Sequence, residues 1–379
     1  MQRPTLMKIV IAMDSFKGTI GSCEACEIVA ESIRRCMPGA ELVIKPMADG
    51  GEGTAKALIK ACGGRWVEKK VMGPLAEMEV EAGFAWFEED GTALVEMACA
   101  SGLELLSREQ MNPLRTTTYG TGQLIKAAAD YGANKILLAV GGSATVDGGI
   151  GAATALGWEF VDEQGESVQP GGGGLQQITK INKPADFKIV PVEVLCDVDN
   201  PLCGEQGAAR VYGPQKGATA EVVEELEKGL AHLAKIVEEQ LGRKIKDVAG
   251  AGAAGGLAAG AIAFMNADVV SGIETVMKRS NLAGELESAD WVITGEGCFD
   301  KQSLMGKVVS GVSGLARQFG VRVAVIAGQV KIEREEYEEL GIVTATGCKR
   351  KKMSLDDALS NCRELLAARV EEFAKKYLC

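Results

Sequence analysis

A chain of 379 residues, 46% hydrophobic but only 5% aromatic, is long enough for two domains and a substantial core. Its net charge of −11 argues against nucleic acid or an anionic membrane surface as the main partner, yet leaves room for a nucleotide held by local cations. One histidine, His232, would have to carry any Ser-His-Asp, Cys-His or polyhistidine metal chemistry, so acid–base work falls to carboxylates or lysines.

Eleven cysteines without a secretion signal read as free thiols of a cytoplasmic protein, with Cys23-Glu-Ala-Cys26 as small core residues on a helix. In chain order, Lys8–Met13 predicts a buried strand ending in Asp14-Ser-Phe-Lys-Gly18, and a helix follows from about Ser22 to Cys36. Glu41 to Pro46 predicts a second strand, then Met47-Ala-Asp-Gly-Gly-Glu-Gly-Thr54 and a helix to Cys62. Acidic residues just after strand ends mark the edge of a parallel sheet where ligands bind.

From Arg65 to about Glu285 the pattern is mixed. Trp66–Val71, Glu77–Trp86 and Thr92–Met97 alternate as antiparallel strands do. Arg115-Thr-Thr-Thr-Tyr-Gly-Thr-Gly122 precedes a helix. Ile136–Val140 then predicts a strand buried on both faces, followed by Gly141-Gly142-Ser143-Ala-Thr-Val-Asp147-Gly-Gly149 and a helix from Ile150. Glycines let backbone N–H groups converge on an anion, and a helix N-terminus favours one. Asp147 in such a loop makes sense if Mg²⁺ lies between it and a phosphate, or if it takes a hydroxyl proton. Gly171–Gly174 reads as a flexible loop. Val192–Leu195 predicts a strand running into Asp197 and Asp199, whose spacing puts both on one side of an extended segment. Arg210–Gly217, with Lys216, follows. Val248–Ala267 is too small and too Gly/Ala-rich for a membrane span and reads as one closely packed buried helix.

From Asp290 the parallel pattern returns. Trp291–Thr294 predicts a strand, then Gly295-Glu296-Gly-Cys-Phe-Asp300, then a helix from near Ser303 carrying Gly306-Lys307. No P-loop is present, because Lys301 stands where its first glycine would be. Val321–Ala327 and a segment starting at Ile342 predict further strands. Lys349–Lys352 reads as a solvated loop, and Ser354 with Asp357 as the cap of one amphipathic helix carrying Leu355, Leu359, Leu366, Val370 and Phe373. The glycine–acid loops around Asp49 and Glu296 are alike, which predicts that the two ends of the chain share one sheet. The expected fold is therefore α/β. A parallel Rossmann- or flavodoxin-like domain (1–65 and 286–379) carries an inserted mixed α/β domain (66–285), with the active site in the cleft between them.

Asp14, Asp49, Glu52, Asp147, Asp197, Asp199, Glu296 and Asp300, with Lys17, Lys216 and Lys307, suit Mg²⁺-dependent phosphoryl transfer. The rival is a non-catalytic, two-lobed sugar-acid sensor, and the carboxylate excess counts against it. A nicotinamide-dependent dehydrogenase rests only on Gly250-Ala-Gly-Ala-Ala-Gly255, which follows a polar helical run rather than a buried strand.

Seven motifs stand in the same order from Met7 onward: Asp14-Ser-Phe-Lys-Gly18; Ala48-Asp-Gly-Gly-Glu-Gly-Thr54; Thr118-Tyr-Gly-Thr-Gly122; the Gly141–Gly149 loop; Cys196-Asp-Val-Asp-Asn-Pro-Leu-Cys-Gly204; Gly213-Pro-Gln-Lys-Gly217; and Thr294-Gly-Glu-Gly297 with Asp300. Together they resemble the type-1 class of bacterial glycerate kinases. The resemblance implies ATP and Mg²⁺ as cofactors, D-glycerate as the small-molecule substrate, and phosphorylation of an alcohol group, with 2-phosphoglycerate favoured as product. It is compatible with a homo-oligomer.

For the roles of individual residues, the chemistry of the loops suggests Gly141, Gly142, Ser143, Gly295, Glu296 and Lys307 for the nucleotide, and Asp199, Glu296 and Asp300 for the metal. Asp14, Ser15, Lys17, Glu52, Arg115 and Lys216 serve the substrate. Asp197, Asp49, Asp147 and Lys17 are the candidate catalytic residues, with Asp197 or Asp49 favoured as base. The chain departs from the family pattern at Val146, where Asn is usual, and at Cys298, where Arg is common. Whatever those side chains do elsewhere is done differently here, or not at all.

Overall fold

The computed structural model describes residues 6–304 and 307–379, so Gly306 of the expected Gly306-Lys307 pair lies outside the described residues. The chain forms two compact α/β units. One comprises Met1–Asp49, Lys56–Gly63 and Ile273–Cys379, the other Gly50–Ala55 and Gly64–Gly272.

The first unit holds a five-stranded, wholly parallel sheet. Its strands run in the order Ile342–Gly347, Arg322–Ala327, Trp291–Gly295, Lys8–Met13, Glu41–Ile44. Numbered along the unit, this is the 2-1-3-4-5 order of flavodoxin-like sheets, whose switch point lies between the first and third strands. Here those are Lys8–Met13 and Trp291–Gly295. Both are nearly continuous apolar runs, because both sheet faces are covered. Ile9, Ile11, Trp291, Ile293, Ala324 and Ile326 pack with Val29 and Ile33 of the Ser22–Cys36 helix and with Leu366, Val370 and Phe373 near the C-terminus.

The second unit holds a six-stranded mixed sheet, in the order Asp268–Val270, Val192–Leu195, Lys135–Ala139, Thr92–Glu96, Glu79–Phe87, Arg65–Met72. The expected antiparallel pairing holds for the last three strands. Thr92–Glu96 also pairs in parallel with Lys135–Ala139, so it forms the seam between the two regimes.

Four local expectations need correcting. Gly171–Gly174 is not a loose loop: Gly172–Gln177 forms a 3₁₀ helix, and a Cβ on Gly172 would strike Leu226 and the Val146 and Pro113 carbonyls. Val248–Ala267 is not one helix. Within Ala253–Gly260, residues Ala254, Gly255 and Gly256 take left-handed φ values of 53°, 65° and 89°, and Ala261–Met265 continues as a π-helical turn. The kink lets the chain lie directly on the Thr145–Gly149 loop, where Gly148 N–H donates to the Gly255 carbonyl at 3.0 Å.

The helix expected near Ser303 begins at Val308, after a 3₁₀ turn at Lys301–Leu304. The C-terminal helix is two helices, Leu355–Ser360 and Cys362–Tyr377, broken at Asn361, and Leu355 and Leu359 are exposed rather than in the core. Among the described residues no helix is long and apolar enough to cross a membrane.

Candidate active site

In the first unit, a cavity of about 420 Å³ opens at the carboxyl edge of the parallel sheet. The register pairs Met13 with Gly295, so the next residues, Asp14 and Glu296, leave adjacent strands side by side at the switch point. Asp14 N–H donates to the Gly295 carbonyl at 2.9 Å. Asp49 comes from the loop after Glu41–Ile44, on the other side of Asp14. Asp14, Ser15, Lys17, Asp49, Glu296, Asp300 and Lys307 all line the cavity.

Like charges at one sheet edge shift one another. The half-buried Asp14 carboxyl is raised from 3.8 to about 7, first by burial and then by Asp49. The Ser15 N–H, 2.6 Å away, opposes this; Glu296 adds to it and Lys17 subtracts. Glu296 is pushed up by burial, held back by a hydrogen bond from Ser303 and by Lys307, and pushed further by Asp300. Among the described residues its Oε1 is buried with no hydrogen-bond partner. Cys298, at the position where Arg is common in the resembled family, donates its thiol to Asp300 Oδ2 at 3.7 Å.

The second unit gathers the other candidates. Asp147 is fully buried and accepts from Thr118 N at 2.8 Å, Thr118 Oγ1 at 2.9 Å, Gly149 N at 3.0 Å and Gly151 N at 3.3 Å. Its carboxylate thereby ties the Ile150–Ala155 helix start to that of Tyr119–Asp130. Burial raises its pKa and those N–H and O–H donors oppose the rise. Lys216 is 1% exposed; its ammonium donates to Ser143 Oγ at 2.7 Å and to the Thr145 carbonyl at 2.8 Å. Desolvation lowers it to about 7, against the field of Asp147. Gly141 and Gly142 begin this turn, with φ at +76° for Gly142. Val146, at the other departure from the family pattern, is a core residue.

Asp197 Oδ1 accepts from Ser271 Oγ at 2.7 Å and Gly272 N at 3.0 Å, at the start of the Gly272–Arg279 helix. Asp199 and Glu52 are exposed. Arg115 is exposed and pairs with Glu77 at 2.9 Å. Among the described residues no three His, Cys, Asp or Glu side chains form a ready-made metal cluster.

Sequence reasoning missed part of the cavity wall. Lys349, read as part of a solvated loop, lines it, as do Thr19, Gln329, Leu355 and Leu359. The only available signal was a pair of leucines four apart on a helix otherwise polar.

Fold and site define an α/β protein of two compact units, one bearing a carboxylate-and-lysine cavity at the switch point of a parallel sheet. The glycerate kinase family model matches residues 9–378. Glycerate kinase of Halalkalibacterium halodurans is 46% identical over 94% of this chain and 95% of its own. Glycerate 2-kinase of Escherichia coli is 42% identical over 90% of this chain and 88% of its own. A crystal structure from Salmonella typhimurium LT2, assigned as a glycerate kinase 2, superposes with a TM-score of 0.85 at 39% identity, covering 98% of each chain. The chain belongs to the glycerate kinase family, and is a kinase of an alcohol group.

Proposed function

We propose that this protein transfers the γ-phosphoryl group of ATP, with Mg²⁺, to the 2-hydroxyl of D-glycerate. The observation that carries the reading is Asp14, lifted to about 7 between Asp49 and Glu296 in a cavity that also presents Lys17 and Lys307. A carboxylate poised near neutral pH suits a general base. It accepts the hydroxyl proton as that oxygen bonds to phosphorus and ADP departs. This assigns to Asp14 the role that the sequence favoured for Asp49 or Asp197. The choice of the 2-hydroxyl leans on the name of the Escherichia coli relative.

Lys17 and Lys307 offset the charge of the phosphates or of the substrate carboxylate. Glu296 and Asp300 would hold the metal: Glu296 Oε1 is a buried acceptor with no partner among the described residues, and one or two carboxylates suffice for Mg²⁺ when phosphates supply further ligands. When bound, that ion neutralises charge on the phosphate oxygens. In the second unit, Lys216 and Asp147 act as positioning residues for the Gly141–Ser143 turn: Lys216 occupies the Ser143 oxygen as a donor, which leaves the Ser143 proton to be given to a ligand. Asp197 serves as a helix cap. Ser15, which lines the same cavity, offers its hydroxyl to the substrate.

A coupled ADP-release assay tests the function. D-Glycerate should stimulate ADP formation strongly with Mg²⁺ present, and chelation of the metal should abolish it. No stimulation by glycerate at any Mg²⁺ concentration would overturn the proposal.

A further inference from the structure

The cavity of the first unit has two chemically distinct sides. Besides the carboxylates and lysines, Phe16, Cys348, Leu355, Leu359, Cys362 and Leu365 line it, and together they make an apolar wall. Leu355 and Leu359 are 51% and 45% exposed, and their short helix, Leu355–Ser360, buries none of its own side chains. A spacing of four puts the two leucines on one helical face. The helix is fixed at its start by Ser354, whose Oγ accepts from Asp357 N at 3.0 Å. It is held after its end by the Cys362–Tyr377 helix, which packs in the core. Leucines on a fixed two-turn helix are thus left facing a cavity.

A three-carbon acid is far too small and too polar to cover such a wall. The basic run Lys349–Lys352 leads into it, and Lys349 lines the same cavity. The complement of an apolar wall beside Lys17, Lys307 and Lys349 is a molecule with a flat apolar body and a polyanionic tail.

We infer that the wall formed by Leu355 and Leu359 receives the base and ribose of a nucleoside triphosphate, whose phosphates extend toward Lys17, Lys307 and Glu296. This inference rests on the kinase reading and goes beyond it by placing the nucleoside half of the phosphoryl donor. The wall contributes apolar contact to the nucleoside and none to D-glycerate or to bare phosphate.

The test measures binding of ADP, and separately of inorganic triphosphate, to the full-length wild type and to a Leu355→Ser/Leu359→Ser double variant. Both side chains are half-exposed, so the double variant should melt close to wild type. ADP should bind about tenfold or more weakly to it, as expected for losing apolar contact from two leucines. Inorganic triphosphate affinity and the KM for D-glycerate should stay within about twofold of wild type. If the double variant does not fold, Leu355→Ser alone should weaken ADP binding by about threefold. ADP affinity equal to wild type, or a parallel loss of triphosphate affinity, would overturn the inference. A wild type that phosphorylates glycerate while the variant keeps its ADP affinity refutes the inference alone. A wild type that binds ADP through these leucines but never phosphorylates glycerate refutes the kinase proposal alone.

Discussion

Asp14→Asn separates stability from activity in opposite directions. The Asp14 carboxyl sits at about 7 in the folded protein against an ordinary 3.8, first because it is buried and then because Asp49 and Glu296 are near. A carboxyl that binds its proton more tightly when folded stabilises the fold most below about pH 4, and that contribution is lost as the pH rises through about 7. A rise of that size corresponds to about 4 kcal/mol at full ionisation. Asparagine keeps the size and the acceptor for the Ser15 N–H but never ionises.

In chelator, therefore, Asp14→Asn should be more stable than wild type at pH 8 by about 2–4 kcal/mol, and nearly equal to it at pH 4. Added Mg²⁺ should shrink the gain, since a cation at Glu296 relieves the same repulsion in wild type. Turnover should fall by about 10²–10⁴-fold, the usual contribution of a general base. In wild type, kcat/KM should decline as acid protonates the base, at a pH no higher than about 7 because bound Mg²⁺ relieves part of the repulsion that raises Asp14. Denaturant melts at the two pH values and steady-state kinetics read both arms. A variant less stable than wild type at pH 8, or one turning over at the wild-type rate, refutes the reasoning.

Asp147→Asn replaces an oxygen that accepts from Thr118 and Gly151 by an amide donor, and should cost about 2–4 kcal/mol in a thermal or urea melt. Gly255→Ala forces a Cβ into the Thr145 carbonyl at a φ of +65° and should cost about 2–5 kcal/mol, whereas Gly165→Ala, at φ +82° with open space around it, should cost about 1–2 kcal/mol by the same melt. Asp197→Asn weakens a cap on the Gly272–Arg279 helix; about 0.5–2 kcal/mol of stability should go, with kcat changed less than tenfold, and a hundredfold loss of kcat at unchanged stability would make Asp197 the base instead.

Much of the architecture was legible because buried parallel strands write themselves as apolar runs. Lys8–Met13, Ile136–Ala139 and Trp291–Gly295 need no context beyond their own residues. The glycine–acid loops around Asp14, Asp49 and Glu296 were visible for the same reason. The likeness of the Asp49 and Glu296 loops pointed to one shared sheet, but the pairing of Lys8–Met13 with Trp291–Gly295, which sets Asp14 beside Glu296, is a contact between distant segments that no local pattern encodes. The raised pKa of Asp14 follows from that convergence and was equally out of reach.

Lys216 looked like one more cation among others, because burial of a lysine is a tertiary fact: its partners, Ser143 and the Thr145 carbonyl, come from a loop far back in the chain. The left-handed run at Ala254–Gly256 is likewise dictated by the Thr145–Gly149 backbone beneath it. Leu355 and Leu359 fit the periodicity of a core helix and were read as one. Asn361 breaks that helix, and the cavity takes their face instead.

The central claim is a phosphoryl transfer to the 2-hydroxyl of D-glycerate, and phosphorus NMR of the reaction mixture tests it most directly. Purified protein with Mg²⁺, ATP and D-glycerate should convert the γ-phosphate resonance of ATP into that of 2-phosphoglycerate, with ADP formed in equal amount. A 3-phosphoglycerate resonance would contradict the assigned acceptor hydroxyl, and ADP with inorganic phosphate alone would contradict the kinase reading itself.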